Sequence, residues 1–340
     1  MYMVRVRCLV FAIRSLAALL LVAANASAAE PCIATAQASA SSLAGRIAAI
    51  ACQENALWYR PFIDIDGRLA SMTVAEAETL RLGDRITPAW KRVADYWRGS
   101  GLLSRMTSFP GASECAYASN DGYPSPACRS FLVDRPWSAA FVSYVMVQAG
   151  VPGFRVSPSH IDYVRDAYQY PESSPFRFAD PDAEKPAPGD MLCFVRGASS
   201  VVGYAGLKAF LDAASGSGLA MHCDIVVTAS PGDGRLYEIG GNVLQGVTLR
   251  TLNLNRNGML WALPRGSDAG CTPGNEAACS FNRQNWAVLL KLRPLAPSAH
   301  PLGVPTPAPA SPACCVNCVV GADPPVPRCK GDPGTNLPGS

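Results

Sequence analysis

Through the first half of this chain apolar residues recur every three to four positions. From Pro186 onward they fall instead into short runs bounded by turns. This change of period constrains the fold more than any other feature, because a helical stripe and a strand alternation bury different faces. Residues 42–56 carry an apolar stripe of Leu43, Ile47, Ile50 and Ala51. Thr87-Pro88 is a helix start, with Thr as N-cap and Pro in the first turn. The helix it opens presents Trp90, Val93, Ala94 and Trp97 on one face and ends near Gly99 or Gly101. Residues 107–130 read as a loop rich in Ser, Gly, Pro and Asn, spanned by Cys115 and Cys128. A further helix has Pro136 in its first turn, a buried face of Phe141, Val142, Val145, Met146 and Ala149, and a stop at Gly150. Strands follow at 191–195, 223–227, 236–239, 247–252 and 287–292, with an insertion at 196–221 that holds a helix near 204–214. Helices first and antiparallel strands afterwards predict an α+β domain, with N-terminal helices packed on an antiparallel sheet, and exclude an alternating doubly wound one.

The termini differ in composition from this central region. Arg5, Arg7 and Arg14, an apolar core at 16–24 and the small residues Ala26-Ser27-Ala28 form a secretory leader over residues 1–28. Its apolar stretch is short for a membrane span, although a retained anchor is the alternative. The expected location is periplasmic or secreted, with no stable membrane span once the leader is removed. Lys and Arg total 29 and Asp and Glu 26, and three of the arginines belong to the leader. The remaining chain is near neutral, which excludes a nucleic-acid partner that needs a clustered basic surface. Of 13 cysteines, Cys8 is in the leader. The even remainder in an exported chain points to disulfides rather than zinc or a catalytic thiol. Local spacing suggests Cys32 with Cys52, Cys115 with Cys128 and Cys271 with Cys279. Cys193 and Cys223 would lie on neighbouring strands. Residues 29–84 form a helical extension, 85–293 the main domain, 294–313 a Pro-rich linker and 314–340 a Cys-rich tail. Cys314, Cys315, Cys318 and Cys329 of the tail suit a small disulfide knot or intermolecular bridges better than zinc. There is no Gly-rich phosphate loop and no His cluster with metal-ligand spacing, so no cofactor and no metal are implied.

Three segments carry side chains suited to chemistry. Ser138 stands at the start of a helix in Pro136-Trp137-Ser138-Ala139-Ala140-Phe141-Val142. Backbone N–H groups at such a position favour negative charge and can hold an oxyanion. A serine hydroxyl there still needs a base within hydrogen-bond reach. His222 opens the strand Met221-His222-Cys223-Asp224-Ile225-Val226-Val227 and is the expected base. Asn242, after Gly240-Gly241, would hold the imidazole in the right tautomer. Each has a structural counterpart reading: Ser138 as a first-turn residue, His222 as a satisfied core imidazole, Asn242 as a turn residue. Asp224 and Glu238 are alternative orienters. His160 is a second base, a substrate contact or a plain helix-start residue, and Trp137 is the other candidate substrate contact. The 196–221 insertion is a lid over a cleft or a surface helix.

These segments resemble bacterial CHAP and NlpC-type papain-like domains. The Trp137-Ser138-Ala139-Ala140-Phe141-Val142 run is similar to a helix start in which Cys is the nucleophile. His222 to Val227 resembles the clan's His-bearing strand, Gly240-Gly241-Asn242 its Gly-Gly-Asn segment, and Gly189-Asp190 the opening of its first strand. The set also resembles an uncharacterised bacterial domain family of that clan with Ser in place of Cys, which shares Tyr96-Trp97 and the Ser157-x-x-His160 spacing. The resemblance covers residues 85–260. It implies a hydrolase acting on amide or ester bonds of cell-wall peptidoglycan or another peptide, with Ser138 as nucleophile, His222 as base and Asn242 as orienter. A non-catalytic module that binds wall fragments or an envelope partner, and a structural envelope protein attached through its tail, are the other expectations.

Overall fold

The computed structural model describes residues 31–32, 42–118, 123–197, 200–213, 216–266 and 270–294. The leader and the cysteines of the tail lie outside the described residues. The described residues up to Arg293 belong to one compact unit. It is an α+β unit. Its helices are α1 (Leu43–Leu57), α2 (Ala89–Gly99), α3 (Ala112–Ala116), α4 (Pro126–Asp134), α5 (Ser138–Ala149), α6 (His160–Gln169) and α7 (Gly203–Ala213). Its strands are β1 (Phe62–Ile63), β2 (Leu69–Ala70), β3 (Phe176–Ala179), β4 (Met191–Val195), β5 (Met221–Ser230), β6 (Arg235–Val243), β7 (Gly246–Asn253) and β8 (Asn285–Leu292).

The strands form one sheet in the order β2-β1-β7-β6-β5-β4-β8-β3. The sheet is mixed rather than antiparallel, because β1 runs parallel to β7 while the other pairs are antiparallel. The pairing β1–β7 brings the segment before α2 into the sheet, so residues 42–83 are built into the unit. Asn55 at the end of α1 donates to the carbonyls of Pro61 (3.0 Å) and Val247 (2.9 Å), tying α1 to that sheet edge.

Alternation along β5 explains how the sheet is covered on both faces. Cys223, Ile225 and Val227 join the main core with α1, α2 and α5. Val226 points the other way, into a smaller core with Leu192, Phe194, Leu236 and Trp286. His222 and Asp224 share the parity of Val226. Cys193 and Cys223 face each other across β4 and β5 and are joined, as are Cys32–Cys52, Cys115–Cys128 and Cys271–Cys279.

Local signals acted differently from expectation at two helix starts. Thr87 does not cap α2. Its hydroxyl donates to Asp84 Oδ2 (2.6 Å), and Pro88 takes the N-cap position. Pro136 precedes α5 rather than lying in its first turn, because Trp137 is the N-cap and Ser138 the first helical residue. Gly150 ends α5 in the left-handed conformation, with φ of 69°, where a side chain would be strained. The stretch 107–130 holds α3 and the start of α4, capped by Ser125, whose Oγ accepts from Cys128 N–H at 3.1 Å. Among the described residues no helix is long and apolar enough to cross a membrane.

Candidate active site

Ser138 begins α5, so its own N–H and those just after it have no partner within the helix. Its Oγ lies 2.7 Å from Nε2 of His160, the first residue of α6. The sequence builds this contact through serines. Ser143, further along α5, donates through Oγ to Ser157 O (3.1 Å) and accepts from Ser157 N–H (3.2 Å). Ser157 Oγ in turn accepts from Ser159 N–H (3.0 Å) and donates to Asp162 Oδ2 (2.5 Å). The Ser157-x-x-His160 spacing therefore pins the entry of α6 to α5 and sets the imidazole beside Ser138. On its other side His160 Nδ1 meets the hydroxyl of Tyr163.

His222 does not take the hydroxyl of Ser138 as its partner. Its Nε2 bonds Asp224 Oδ1 at 2.6 Å, and its ring lies 5.1 Å from the ring of His160, centroid to centroid. The hydroxyl and both imidazoles thus share one cluster, with His160 between Ser138 and His222. Asp224 Oδ2 accepts from Arg250 Nε (3.0 Å), and Arg250 also donates to the carbonyl of Phe281 and to Asn282 Oδ1 (3.1 Å). Glu238 Oε1 is 3.4 Å from the same Arg250 Nε.

Asn242 acts on Trp137, the residue before Ser138. A β-bulge between Gly241 and Val243 places Asn242 at φ of 57°, a left-handed conformation that Asn tolerates well. The amide orientation that satisfies both neighbours has Oδ1 accepting from Trp137 N–H (3.2 Å) and Nδ2 donating to Glu76 (3.0 Å). Trp137, expected at the substrate, is instead fully buried. Its indole donates to Glu76 Oε2 (2.6 Å) and stacks on Trp58 and Tyr96, with centroids 5.8 and 5.4 Å away. It anchors the start of α5 and touches no solvent. Glu76 is the residue that sequence reasoning missed. Its position carries no motif, and only the convergence of Trp137 and Asn242 on it reveals its place.

The two glycines before Asn242 are needed for space. A Cβ on Gly240 would lie 1.8 Å from Asp224 Oδ1 and 2.8 Å from His222 Nε2. A Cβ on Gly241 would lie 2.4 Å from Phe141 Cβ on α5. Together they let β6 approach both the His222–Asp224 pair and the helix.

Electrostatics divide the cluster. Burial drives the pKa of His160 well below 6.5, and the nearby His222 and Arg196 lower it further, so its ring is neutral. Burial opposes ionisation of Asp224, but the His222 and Arg250 charges more than offset it and hold the carboxyl below the ordinary range. Burial, with the Asp224 charge beside it, raises Glu238 well above the usual carboxylate value. Burial likewise raises Tyr163 and Glu76. A cavity of about 250 Å³ opens against this cluster, lined by His222 and Asn242 together with Phe194, Arg196, Leu244 and Gln284. Ser138 is 4 % exposed and is not among the residues lining it. Leu244 and Gln245, with φ of 51° and 65°, make the two-residue hairpin at the cavity's rim. Leu244 and Gln245 are non-glycine residues held left-handed, and strain of this kind is commonly stored beside functional sites. Among the described residues no cluster of His, Cys, Asp and Glu could hold a metal ion.

No curated protein and no solved structure matches the chain. Residues 84–292, well over half of it, match the sequence profile of a bacterial family described as an uncharacterized protein conserved in bacteria. The segment so matched contains Ser138, His160, His222 and Asn242 but not Glu76, and on its extent the chain belongs to the DUF2272 family.

Proposed function

We propose that the chain is an exported hydrolase of papain-like, NlpC/CHAP-type architecture, which cleaves amide or ester bonds, those of cell-wall peptide first among them. Ser138 is its nucleophile and His160 its base. The observation that carries this reading is the 2.7 Å contact between Ser138 Oγ and His160 Nε2 at the first residue of a helix. When Nδ1–H of His160 donates to the Tyr163 oxygen, Nε2 has a free lone pair and accepts from Ser138 Oγ–H. As Oγ bonds to the carbonyl carbon, its proton passes to Nε2 and the carbonyl electron pair moves onto oxygen. The unpaired N–H groups of the first turn of α5 stabilise that oxyanion. Collapse breaks the bond to the leaving amine or alcohol, which takes the proton from Nε2, and water then repeats the sequence to free Ser138. Asn242 and Glu76 act as positioning residues by fixing Trp137, the residue before the nucleophile. The leader and the four disulfides support the exported location.

A binding module is the second reading. It is favoured by the burial of Ser138 and by a cavity walled by His222 and Asn242 instead. A fluorophosphonate probe separates the two, since it phosphonylates only an activated serine. Covalent labelling mapped to Ser138, and its loss in Ser138→Ala, supports the hydrolase. A folded wild-type protein that takes no label leaves the binding module.

A further inference from the structure

Arg196 follows β4 and is exposed at the cavity that His222 and Asn242 line. Two arginines face this cavity, and they are placed very differently. The guanidinium of Arg250 is 4 % exposed and already bonded to Asp224, Phe281 and Asn282. The guanidinium of Arg196 has no hydrogen-bond or ion-pair partner among the described residues. It still reaches the catalytic cluster electrostatically, since it is among the charges that lower the pKa of His160. Among the described residues no Asp or Glu lines the cavity, whose polar wall is made of arginines, His222, Asn242 and Gln284. The carboxylates of the cluster, Asp224 and Glu238, are both fully buried, and Asp224 is already paired with His222 and Arg250. A small concave site in which the described residues offer an unpaired guanidinium, no acid and an apolar wall of Phe194 and Leu244 selects an anionic group on an otherwise apolar or peptidic ligand. At about 250 Å³ it is smaller than the ~300–1,000 Å³ of most ligand clefts. It therefore takes one residue-sized group and not an extended chain.

We infer that Arg196 is a specificity residue that binds a carboxylate on the substrate, so that the preferred substrate is an amide or ester carrying a free carboxylate close to the scissile carbonyl. This rests on the hydrolase reading for the word substrate, but the carboxylate site itself does not need turnover. The planar guanidinium suits a carboxylate because it can donate two parallel hydrogen bonds.

The test uses the full mature chain and an isosteric pair of probes, N-acetyl-Ala-Glu 4-nitroanilide and N-acetyl-Ala-Gln 4-nitroanilide. Their binding to Ser138→Ala is measured by calorimetry or ligand-observed NMR, and their hydrolysis by wild type is followed in parallel. The Glu probe should bind at least about fivefold tighter than the Gln probe, the range of one exposed charge-assisted pair. Arg196→Gln, added to Ser138→Ala, should erase that preference and leave the Gln probe unchanged, and Arg196→Lys should restore part of it. The preference should also weaken as salt is raised. Equal binding of the two probes, or a preference that survives Arg196→Gln in a protein with unchanged thermal unfolding, overturns the inference. Carboxylate binding that depends on Arg196 without hydrolysis of either probe upholds the site and counts against the hydrolase. Hydrolysis of both probes without discrimination does the reverse.

Discussion

His160 holds its two ring nitrogens against two hydroxyls, Ser138 on one side and Tyr163 on the other, and both are buried with it. Its charge state follows from that enclosure. Burial, aided by His222 and Arg196, keeps the folded imidazole neutral, and the unfolded chain takes up a proton near the ordinary value of 6.5. Below pH 6.5 the unfolded state therefore binds a proton that the native state does not. Wild type should lose stability relative to His160→Gln as pH falls, by up to ~1.4 kcal/mol per pH unit. Thermal unfolding of the two proteins across pH 5–8 checks this, and a difference that is flat with pH contradicts it. If His160 is the base, the matching signature is a kcat/KM that stays level through pH 6.5 and falls only well below it. Glu238 has the opposite sign. Its folded pKa is raised by burial and by Asp224, so the native state keeps a proton that the unfolded chain sheds above about 4.5. That costs stability increasingly as pH rises. Glu238→Gln, which mimics the neutral acid, should raise the Tm at pH 8 and leave it near wild type at pH 4.5.

These residue identities were legible to very different degrees. Ser138, His222 and Asn242 stand in runs that can be read, and the fold does gather their segments. Which imidazole meets Ser138 was not legible, because it depends on Ser143 holding Ser157 across two helices. A serine bonding backbone leaves no periodic trace in a sequence.

Among the elements, the long apolar ones announce themselves. The stripe of α1, the face of α5 and the runs of β4 to β8 follow directly from burial on one or both sides. The two-residue strands β1 and β2 and the short helix α3 are too brief to show a period, and tertiary contacts fix them. The parallel pairing of β1 with β7 was invisible for the same reason. The most constrained element is the β6–β7 hairpin with the bulge before it. Gly241→Ala would drive a Cβ into Phe141 of α5, and overpacking of this kind costs about 1–3 kcal/mol. Gln245→Gly at the exposed hairpin tip should do the reverse and stabilise by about 1 kcal/mol, because glycine accepts φ of 65° without strain. Denaturant unfolding of both variants tests the pair. A neutral Gly241→Ala would mean that β6 and α5 are not in close contact.

At the scale of the whole molecule, the segment before the family match is structural. Glu54 of α1 pairs with Arg92 and accepts from Tyr96 Oη at 2.7 Å, Trp58 stacks on Trp137, and Glu76 receives hydrogen bonds from Trp137 and Asn242. A fragment that begins at residue 84 would strip Arg92 and Tyr96 of Glu54, and Trp137 of both Glu76 and the stacked Trp58. It should fail to give a cooperative unfolding transition, which circular dichroism on heating would show. Within the intact chain, Glu76→Ala strips the buried Trp137 indole and the half-buried Asn242 amide of their acceptor and should cost about 1–3 kcal/mol.

The most direct measurement is the rate at which a fluorophosphonate phosphonylates Ser138 in wild type and in His160→Gln, with native folding of each verified by thermal unfolding. If His160 is the base, the rate should fall by about 10²–10⁴ in the variant, the usual contribution of a positioned proton acceptor. An undiminished rate in His160→Gln would contradict the account.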